Sequence, residues 1–184
     1  MLILNEFLYK FVLFCDIVKV RKNLEFLNLT NLKFVEVVMI KEATIDDLKQ
    51  VVDIVMMYRE FYGVDKQRIE DVESFMKSRF ENQQSKVFIA TSENDEVIGF
   101  IQLYPSYSTV SLKPQWVLND FYVDKNYRKQ GYGTKLMEYV KTYFKDSAKG
   151  FILVTDKDNV TAKSLYDKNG WETGEHDLYT YFYK

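Results

Sequence analysis

The sequence predicts a single α+β domain. Its 184 residues are enough for one hydrophobic core and leave little room for a second. Apolar runs of strand length are interleaved with longer segments in which apolar residues recur at helical spacing. The sequence contains no repeat, linker or low-complexity segment. Strands and helices are therefore expected to form one packed unit.

The domain is expected to span residues 39–184, after an amino-terminal extension of residues 1–38. The apolar stretches of the extension fall short of the roughly 20 residues of a membrane-spanning helix, and it lacks the basic leader of a secretory signal. The extension either packs on the domain or is translated upstream sequence with the natural start at Met39. We favour the second alternative, because a domain-like pattern begins abruptly at Met39.

The first elements are a strand and a helix. Met39–Ala43 is predicted to be a short strand. Thr44 and Asp47 have the spacing of a capping box, which satisfies backbone N–H groups at a helix start. Apolar residues then recur at helical spacing over residues 48–62, and Gly63 ends the helix.

The remaining elements follow from the same two periodicities. The hairpin after the second strand is placed at Asn94-Asp95, and Gly170 supplies the left-handed cap of the last helix. The apolar strand that begins at Phe151 is predicted to be buried on both faces. In order, the predicted elements are a helix over 69–82, strands at Lys86–Thr91, Val97–Tyr104 and Trp116–Val123, a helix over Gly131–Lys145, a strand at Phe151–Thr155, a helix over Asn159–Lys168, and strands at Trp171–Thr173 and Leu178–Tyr183.

The composition excludes several kinds of site. The formal net charge of −2 gives no general attraction to nucleic acid or to an anionic membrane surface. Cys15 is the only cysteine, which excludes an internal disulfide framework and a cysteine-based metal site, and His176 is the only histidine. We therefore expect a cytoplasmic protein that uses no metal, with His176 solvated in a late loop.

One strand–loop–helix segment has the features of an anion site. Strand Trp116–Val123 leads into Arg128-x-x-Gly131-x-Gly133, where a helix begins. Unpaired N–H groups and the helix dipole favour an anion there, the glycines would let a diphosphate approach the backbone, and Arg128 and Lys129 add positive charge. The alternative is a tight strand-to-helix turn without a ligand. The glycine spacing fits neither a Walker loop nor a dinucleotide-binding motif.

Two blocks of the sequence resemble the GNAT superfamily of N-acetyltransferases. Arg128-x-x-Gly131-x-Gly133 is similar to the family signature Gln/Arg-x-x-Gly-x-Gly/Ala. Farther along the chain, Asn159-x-x-Ala162-x-x-Leu165-Tyr166-x-x-x-Gly170-Trp171 resembles the second block of the family. The resemblance covers residues 39–184 and is closest to a small histone- or polyamine-acetyltransferase-like branch.

The resemblance implies the GNAT fold and acetyl-CoA as cosubstrate. In that fold a twisted, mixed and mostly antiparallel sheet of about six to seven strands is flanked by about four helices and splays between its fourth and fifth strands. The pantetheine arm would pair with the splayed strand as an added strand does. The residues that the resemblance assigns to the coenzyme are Phe121, Tyr122 and Val123 for pantetheine, Arg128, Lys129, Gln130, Gly131, Tyr132, Gly133 and Thr134 for pyrophosphate, and Asn159, Ala162 and Tyr166 beside them.

The resemblance also implies direct transfer of the acetyl group to an amine in a ternary complex. Tyr166 would protonate the departing thiolate. A phenol, with a reference pKa of about 10, can give a proton to a thiolate, whose acid has a pKa of about 8.5, without being strongly tuned. The resemblance also implies a bulge in the strand before the glycine loop, and a backbone N–H near that bulge would bind the oxyanion. Alternatively, Tyr166 only packs an amphipathic helix.

Asp120 is the candidate base. An amine acceptor is mostly protonated at neutral pH, so a proton must leave before the nitrogen attacks. Polyamine acetyltransferases have Glu-Asp where this chain has Asn119-Asp120. The missing glutamate argues against a polyamine acceptor and leaves Asp120 to act directly or through water. The alternative is a strand-end carboxylate that is hydrogen-bonded to a loop.

The acceptor, a small-molecule or protein amine, is expected beside aromatic side chains, because aromatic rings attract cations. GNAT proteins are commonly dimers, so the resemblance also implies a homodimer. Two other functions stay open: a non-catalytic acyl-CoA-binding regulatory module, and an interaction protein in which Arg128–Thr134 is only a turn. The aromatic candidates, each of which could instead belong to the core, are Tyr58, Phe61, Tyr62, Tyr104, Tyr107 and Trp116.

Overall fold

The computed structural model describes residues 38–64, 68–174 and 178–183, and within them five strands form one sheet. The strands lie in sequence order across the sheet. The first three neighbouring pairs are antiparallel and the last pair is parallel, so the predicted mixed, mostly antiparallel sheet is confirmed. The strands are β1 (Met39–Glu42), β2 (Lys86–Thr91), β3 (Val97–Ser108), β4 (Lys113–Val123) and β5 (Phe151–Leu153).

Within this part of the chain, four helices cover the two faces of the sheet: α1 (Leu48–Phe61), α2 (Ile69–Glu81), α3 (Tyr132–Phe144) and α4 (Val160–Lys168). Helices α1 and α2 pack over Phe100 and Tyr122 on one face. Helix α3 packs over Phe88 and Leu118 on the other face, where α4 adds Leu165. Both faces of β2 are therefore buried, which explains its continuous apolar sequence.

A β-bulge at Asn119 changes the direction of the side chains along β4. The register passes from Leu103 opposite Leu118 to Gln102 opposite Asp120, so Asn119 is an extra residue. Side chains alternate along a regular strand, which would place Leu118 and Asp120 on one face. The bulge instead leaves Leu118 under α3 and turns Asp120 toward α1 and α2. It is the feature of the sheet that positions the candidate base.

The carboxyl-terminal part of the sheet differs from the prediction. Trp171–Thr173 and Leu178–Tyr183 were expected as strands, yet neither segment forms one in the structure, so the described residues contain five strands rather than the six to seven expected. Strand β5 is also not buried on both faces, because Ile152 is 52% exposed. A strand of three residues offers few backbone groups for a further strand to pair with, and the alternating aromatic pattern after residue 178 stays exposed.

Two predictions lie outside the described residues: the amino-terminal extension up to residue 37 and the loop position of His176. The expected domain of residues 39–184 stays a prediction. None of the helices in the described ranges has the length and hydropathy needed to cross a membrane.

The predicted capping box is present at the turn before α1, and its removal should destabilise the protein. The Asp47 carboxylate accepts from the Thr44 N–H at 2.9 Å and from Lys41 Nζ at 2.7 Å. Partial burial raises the pKa of Asp47, but the bonds from Lys41 and Thr44 outweigh it and hold the pKa below its ordinary value of 3.8. We expect Asp47→Ala to lower the free energy of unfolding by about 1 kcal/mol at pH 7, measured by urea denaturation.

A group whose pKa is depressed by folding stabilises the protein above its unfolded pKa and loses that effect as the pH falls through the folded value. The difference between Asp47→Ala and the unchanged protein should therefore narrow below about pH 4. Asp46→Ala is the matched control, since Asp46 lies in the same turn and makes no ion pair within the described ranges. If Asp46→Ala and Asp47→Ala lowered the free energy of unfolding equally, the stabilising role of Asp47 in the capping box would be contradicted.

Candidate active site

The start of α3 is a helix end whose amide N–H groups are not capped by a side chain. Its N-cap residue is Gly131, with a left-handed φ of 89° and no side chain to accept from the amides. The first N–H groups of any helix lack partners within the helix. The start of α4 is different, because Asn159 Oδ1 accepts from the Ala162 N–H at 3.1 Å. The start of α3 is therefore suited to an external anion.

The two glycines of the loop have different roles. A Cβ atom on Gly131 would meet no protein atom within 4 Å, so the space beside it is open. A Cβ atom on Gly133 would lie 3.1 Å from Phe121 and 3.2 Å from Leu165. The sequence interpretation gave both glycines to the diphosphate. In the structure only Gly131 borders open space, whereas Gly133 lets the start of α3 pack closely on β4 and α4.

The charged residues of the loop are partly engaged within the protein. Arg128 Nε donates to the Val123 carbonyl at 2.8 Å, and its guanidinium carbon lies 4.9 Å from the ring centre of Phe61 and 5.3 Å from that of Tyr122. Arg128 thus joins the loop to α1 by cation–π contacts as well as adding positive charge. Lys129 has a left-handed φ of 63°, a conformation that is costly for a residue with a side chain.

The other loop residues make local contacts. Gln130 Nε2 donates to the Asn126 carbonyl at 3.0 Å, which folds its side chain back on the loop. Tyr132 is buried in the core, so only its backbone faces the loop. The Thr134 side chain is half-buried in the first turn of α3. These contacts leave the backbone at the start of α3 as the part available to a ligand.

The edge of β4 beyond the bulge borders a gap. Strand β5 pairs with β4 only as far as Leu118, so the last residues of β4 have no partner on that side in the described part of the chain. Alternate residues of an antiparallel pair direct their backbone groups to the neighbour, and the Asp124 N–H bonds to β3. Tyr122 therefore also faces β3, whereas the backbone groups of Phe121 and Val123 face the gap.

Asp120 lies in a cavity of about 430 Å³ between the sheet and helices α1 and α2. Asn119 Nδ2 donates to its carboxylate at 3.0 Å. Tyr58, on α1, lies beside it, and burial together with the charge of Asp120 raises the pKa of Tyr58. Burial and Asp120 also raise the pKa of Tyr104, against the opposing charge of Arg79. A carboxylate among neutral phenols is an arrangement that can accept a proton from a bound cation.

Tyr166 lies on α4 and is half-buried against the core beneath α3. Its ring centre is 6.0 Å from that of Trp171. Burial and, to a smaller extent, Tyr62 raise the pKa of Tyr166, so its phenol stays protonated at neutral pH. Tyr62 in turn packs on Tyr58, with ring centres 5.0 Å apart. The end of α1 thus lies between the two candidate catalytic residues, with Tyr58 beside Asp120 and Tyr62 near Tyr166.

The aromatic residues expected around the acceptor are only partly placed there. Tyr58 and Tyr104 line the cavity. Trp116 packs with the core beneath α3, on the opposite face, and Tyr107 is 76% exposed on the β3–β4 hairpin. The prediction that Trp116 and Tyr107 lie beside the acceptor is therefore wrong. The bulge at Asn119 leaves Trp116 on the opposite face from Asp120, and the length of the hairpin places Tyr107 away from the cavity.

Several cavity residues were not predicted from the sequence, and three of them, Gln102, Phe75 and Arg59, shape its walls. Gln102 is buried and its Nε2 donates to Ser85 Oγ at 3.0 Å and to the Tyr104 hydroxyl at 3.1 Å, which fixes one wall. Phe75 contributes from α2, and Arg59 from α1. Arg59 lies one turn after Val55 on the apolar side of α1. A charged residue at such a position is unusual, and it was the one feature of the sequence that could have indicated a functional role for Arg59.

Comparison with known proteins agrees with the fold. Residues 51–171 match the family described as "Acetyltransferase (GNAT) family". The uncharacterized N-acetyltransferase YhfO of Bacillus subtilis (strain 168) is 40% identical over 134 residues, which cover 72% of this chain and 89% of that protein. The crystal structure of a probable acetyltransferase is 32% identical with a TM-score of 0.74, over 79% of this chain and 98% of the other.

A more distant structure shares the fold. An aminoglycoside N-acetyltransferase in complex with CoA is 14% identical with a TM-score of 0.68, over 82% of this chain and 98% of the other. The two sequence blocks, the sheet with its bulged fourth strand and the matched family lead to one assignment. The chain belongs to the GNAT family and is an acetyltransferase.

Proposed function

We propose that this acetyltransferase moves the acetyl group of acetyl-CoA to a primary amine by direct attack in a ternary complex. The observation that carries the proposal is the uncapped start of α3 at Gly131, which follows the free edge of β4. A diphosphate fits an uncapped helix start, because the N–H groups and the helix dipole both favour an anion. The fold relative with bound CoA supports a coenzyme A thioester as donor.

The pantetheine arm would pair with the edge of β4. Of the three residues that the family resemblance assigns to it, Phe121 and Val123 have backbone groups that face the gap, and the Val123 carbonyl is already shared with Arg128. We therefore assign the main contacts to Phe121 and to the Val123 N–H. Asn159 uses Oδ1 to cap α4, so its Nδ2 is the atom left to donate to the coenzyme. Ala162, in the same turn, would keep that position small.

In the proposed reaction, Asp120 takes a proton from the bound ammonium and the free amine attacks the thioester carbon. A β4 N–H that faces the gap stabilises the charge on the thioester oxygen. The carbon–sulfur bond then breaks and Tyr166 gives its proton to the departing thiolate. The nitrogen of the new amide loses its second proton to solvent, and Tyr166 regains a proton from solvent before the next cycle. The acceptor class is a small-molecule or protein amine. A cytoplasmic location and a homodimer are further expectations of the proposal.

The test is a Gly131→Ala substitution. We expect acetyl-CoA to bind the unchanged protein and the substitution to weaken that binding at least tenfold, measured by calorimetry. The new Cβ meets no protein atom but stands where the diphosphate would lie, and the left-handed φ adds a strain of about 1–2 kcal/mol. Released thiol, measured with a panel of amines, reports transfer in the same samples.

Gly170→Ala is the matched control. Gly170 also has a left-handed φ, 74°, and open surroundings, but it follows Asn169, whose carbonyl accepts from Lys141 far along α3 from Gly131. The control should lose similar stability and keep its affinity for acetyl-CoA. Binding without turnover of any amine would favour the non-catalytic acyl-CoA-binding module. Absence of binding would overturn the proposal.

A further inference from the structure

One arginine lines the acceptor cavity, and a second, on the next helix, packs on a residue that lines it. Arg59, on α1, lines it directly. Arg79, on α2, has its guanidinium carbon 4.5 Å from the ring centre of Phe75, which also lines the cavity. Neither arginine forms an ion pair with any residue in the described ranges, and the hydrogen bond of Arg79 is to the neutral Ser78 hydroxyl. Arg59 and Arg79 therefore place two positive charges at or beside the cavity, and no carboxylate of the described residues pairs with either of them.

Both arginines also have an unsatisfied donor. The Nε–H groups of Arg59 and Arg79 are buried and have no acceptor among the residues that the structure describes. Buried polar groups in proteins are nearly always hydrogen-bonded, so an unpaired guanidinium N–H calls for an acceptor that the protein does not provide. The planar guanidinium donates most favourably to carboxylate and phosphate oxygens.

Negative charge lies on a different wall of the same cavity. Asp120 stands at the β4 bulge, and the Tyr104 hydroxyl lies within electrostatic reach of both Asp120 and Arg79. Asp71 also borders the cavity, but Arg68 partly neutralises it at 3.6 Å. The cavity therefore has a carboxylate wall on the sheet and a guanidinium wall on the helices. A molecule with an ammonium group and an anionic group matches both walls, whereas a polyamine would meet repulsion at Arg59.

We propose that the acceptor amine carries a carboxylate, which Arg59 binds with support from Arg79 while the amine faces Asp120. The acceptor is then an amino acid or a similar small amino-carboxylate. This inference rests on the proposed function, since it names the acceptor class of the same site. The missing glutamate at Asn119 points the same way, because a single carboxylate beside the bulge suits a single ammonium group.

The experiment compares amino acids with their carboxamides, which have the same size and amine but lack the negative charge. Lysine with lysinamide and methionine with methioninamide are suitable pairs, read by released thiol. We expect kcat/KM to be at least tenfold higher for the acids. Arg59→Gln should reduce the ratio of acid to amide to about one. Lys77→Gln, which removes an exposed cation of α2 that pairs with Glu81 and does not line the cavity, should keep it.

A second measurement is binding of the same pairs to the protein saturated with CoA, by calorimetry, which does not need turnover. Arg59→Lys retains a charge without the planar fork and should give an intermediate preference if Arg59→Gln folds poorly. An unchanged protein that binds or turns over amides as well as acids overturns the inference. A preference that survives Arg59→Gln overturns the role of Arg59. Preferential binding of the acids without any turnover would support the inference and contradict the proposed transfer.

Discussion

Replacing Tyr166 with phenylalanine is expected to lower turnover at least tenfold while the affinity for CoA stays nearly unchanged. The substitution removes one hydroxyl from a half-buried side chain and keeps the ring that packs near Trp171. A positioned general acid contributes about 10²–10⁴ in rate, because a thiolate is a poorer leaving group when no proton is supplied. Steady-state kinetics and calorimetry with CoA on the same preparations would measure both quantities.

The matched control for Tyr166 is Tyr139→Phe. Tyr139 is a partly exposed tyrosine on α3 whose ring contacts those of Tyr143 and the buried Phe88. Loss of its hydroxyl should leave turnover unchanged. If Tyr166→Phe also left turnover unchanged, Tyr166 would be a packing residue and the proposed acid would have to be sought elsewhere. A loss of CoA affinity equal to the loss of turnover would instead indicate a binding role.

The pH dependence provides an independent check on Tyr166. Burial raises its pKa above the ordinary value of 10, and the acid acts in its protonated form. Activity that depends on this proton is therefore present at neutral pH and is lost only as the pH rises through the raised pKa. Between about pH 8 and pH 10, the turnover of the unchanged protein and that of the Tyr166→Phe variant should therefore change with pH in the same way.

The sequence predicted correctly those strands and helices whose ends coincide with polar turns, glycines or capping residues. Strand β2 was predicted with the observed bounds because an uninterrupted apolar run ends at a polar turn. Helix α1 ends where Gly63 follows, and Asn159 caps α4 as its position before the helix suggests. The turn before α3 was likewise predicted, because glycine marks a position that needs a left-handed φ, and Gly131 has one at the start of the helix.

The family resemblance implied a bulge in the strand before the glycine loop, and the structure has one, but no local signal in the sequence places it at Asn119. Nothing in Val117-Leu118-Asn119-Asp120 distinguishes a bulged strand from a regular one, because the extra residue is defined by the partner strand β3. Without the bulge, the alternation places Leu118 and Asp120 together. Trp116 was offered as an acceptor residue because aromatic rings attract cations, with core packing as the alternative, and it packs against Phe144 with ring centres 4.6 Å apart. Site geometry here depends on long-range pairing.

The last predicted strands were wrong for a related reason. The alternation after Leu178 is of strand type, but a strand exists only where a partner supplies hydrogen bonds, and Tyr179 is 89% exposed. The sequence marks Arg59 only as a charged residue on the apolar side of α1, and its place in the cavity wall depends on strands that lie far from it in the sequence. The coenzyme residues and the two catalytic assignments stay proposals that the substitutions described here test.

Asp120→Asn is expected to have the largest effect on activity at neutral pH. An amine with a pKa near 10 is in its neutral form for only about one molecule in a thousand at pH 7, so removal of the base leaves the enzyme dependent on that small fraction. We expect kcat/KM to fall about a hundredfold at pH 7. The substitution keeps the size of the side chain and its neighbours Asn119 and Tyr58.

The deficit caused by Asp120→Asn should shrink as the pH is raised. Each pH unit increases the neutral fraction of the amine about tenfold until its pKa is reached, so the variant should gain activity more steeply than the unchanged protein up to about pH 10. Asp146→Asn, which removes an exposed carboxylate at the end of α3, should have no effect at any pH. If Asp120→Asn lowered the melting temperature but not kcat/KM, Asp120 would be a structural carboxylate at a strand end. A constant deficit across the pH range would assign it to binding of the acceptor, because only a base becomes dispensable when the amine has already lost its proton.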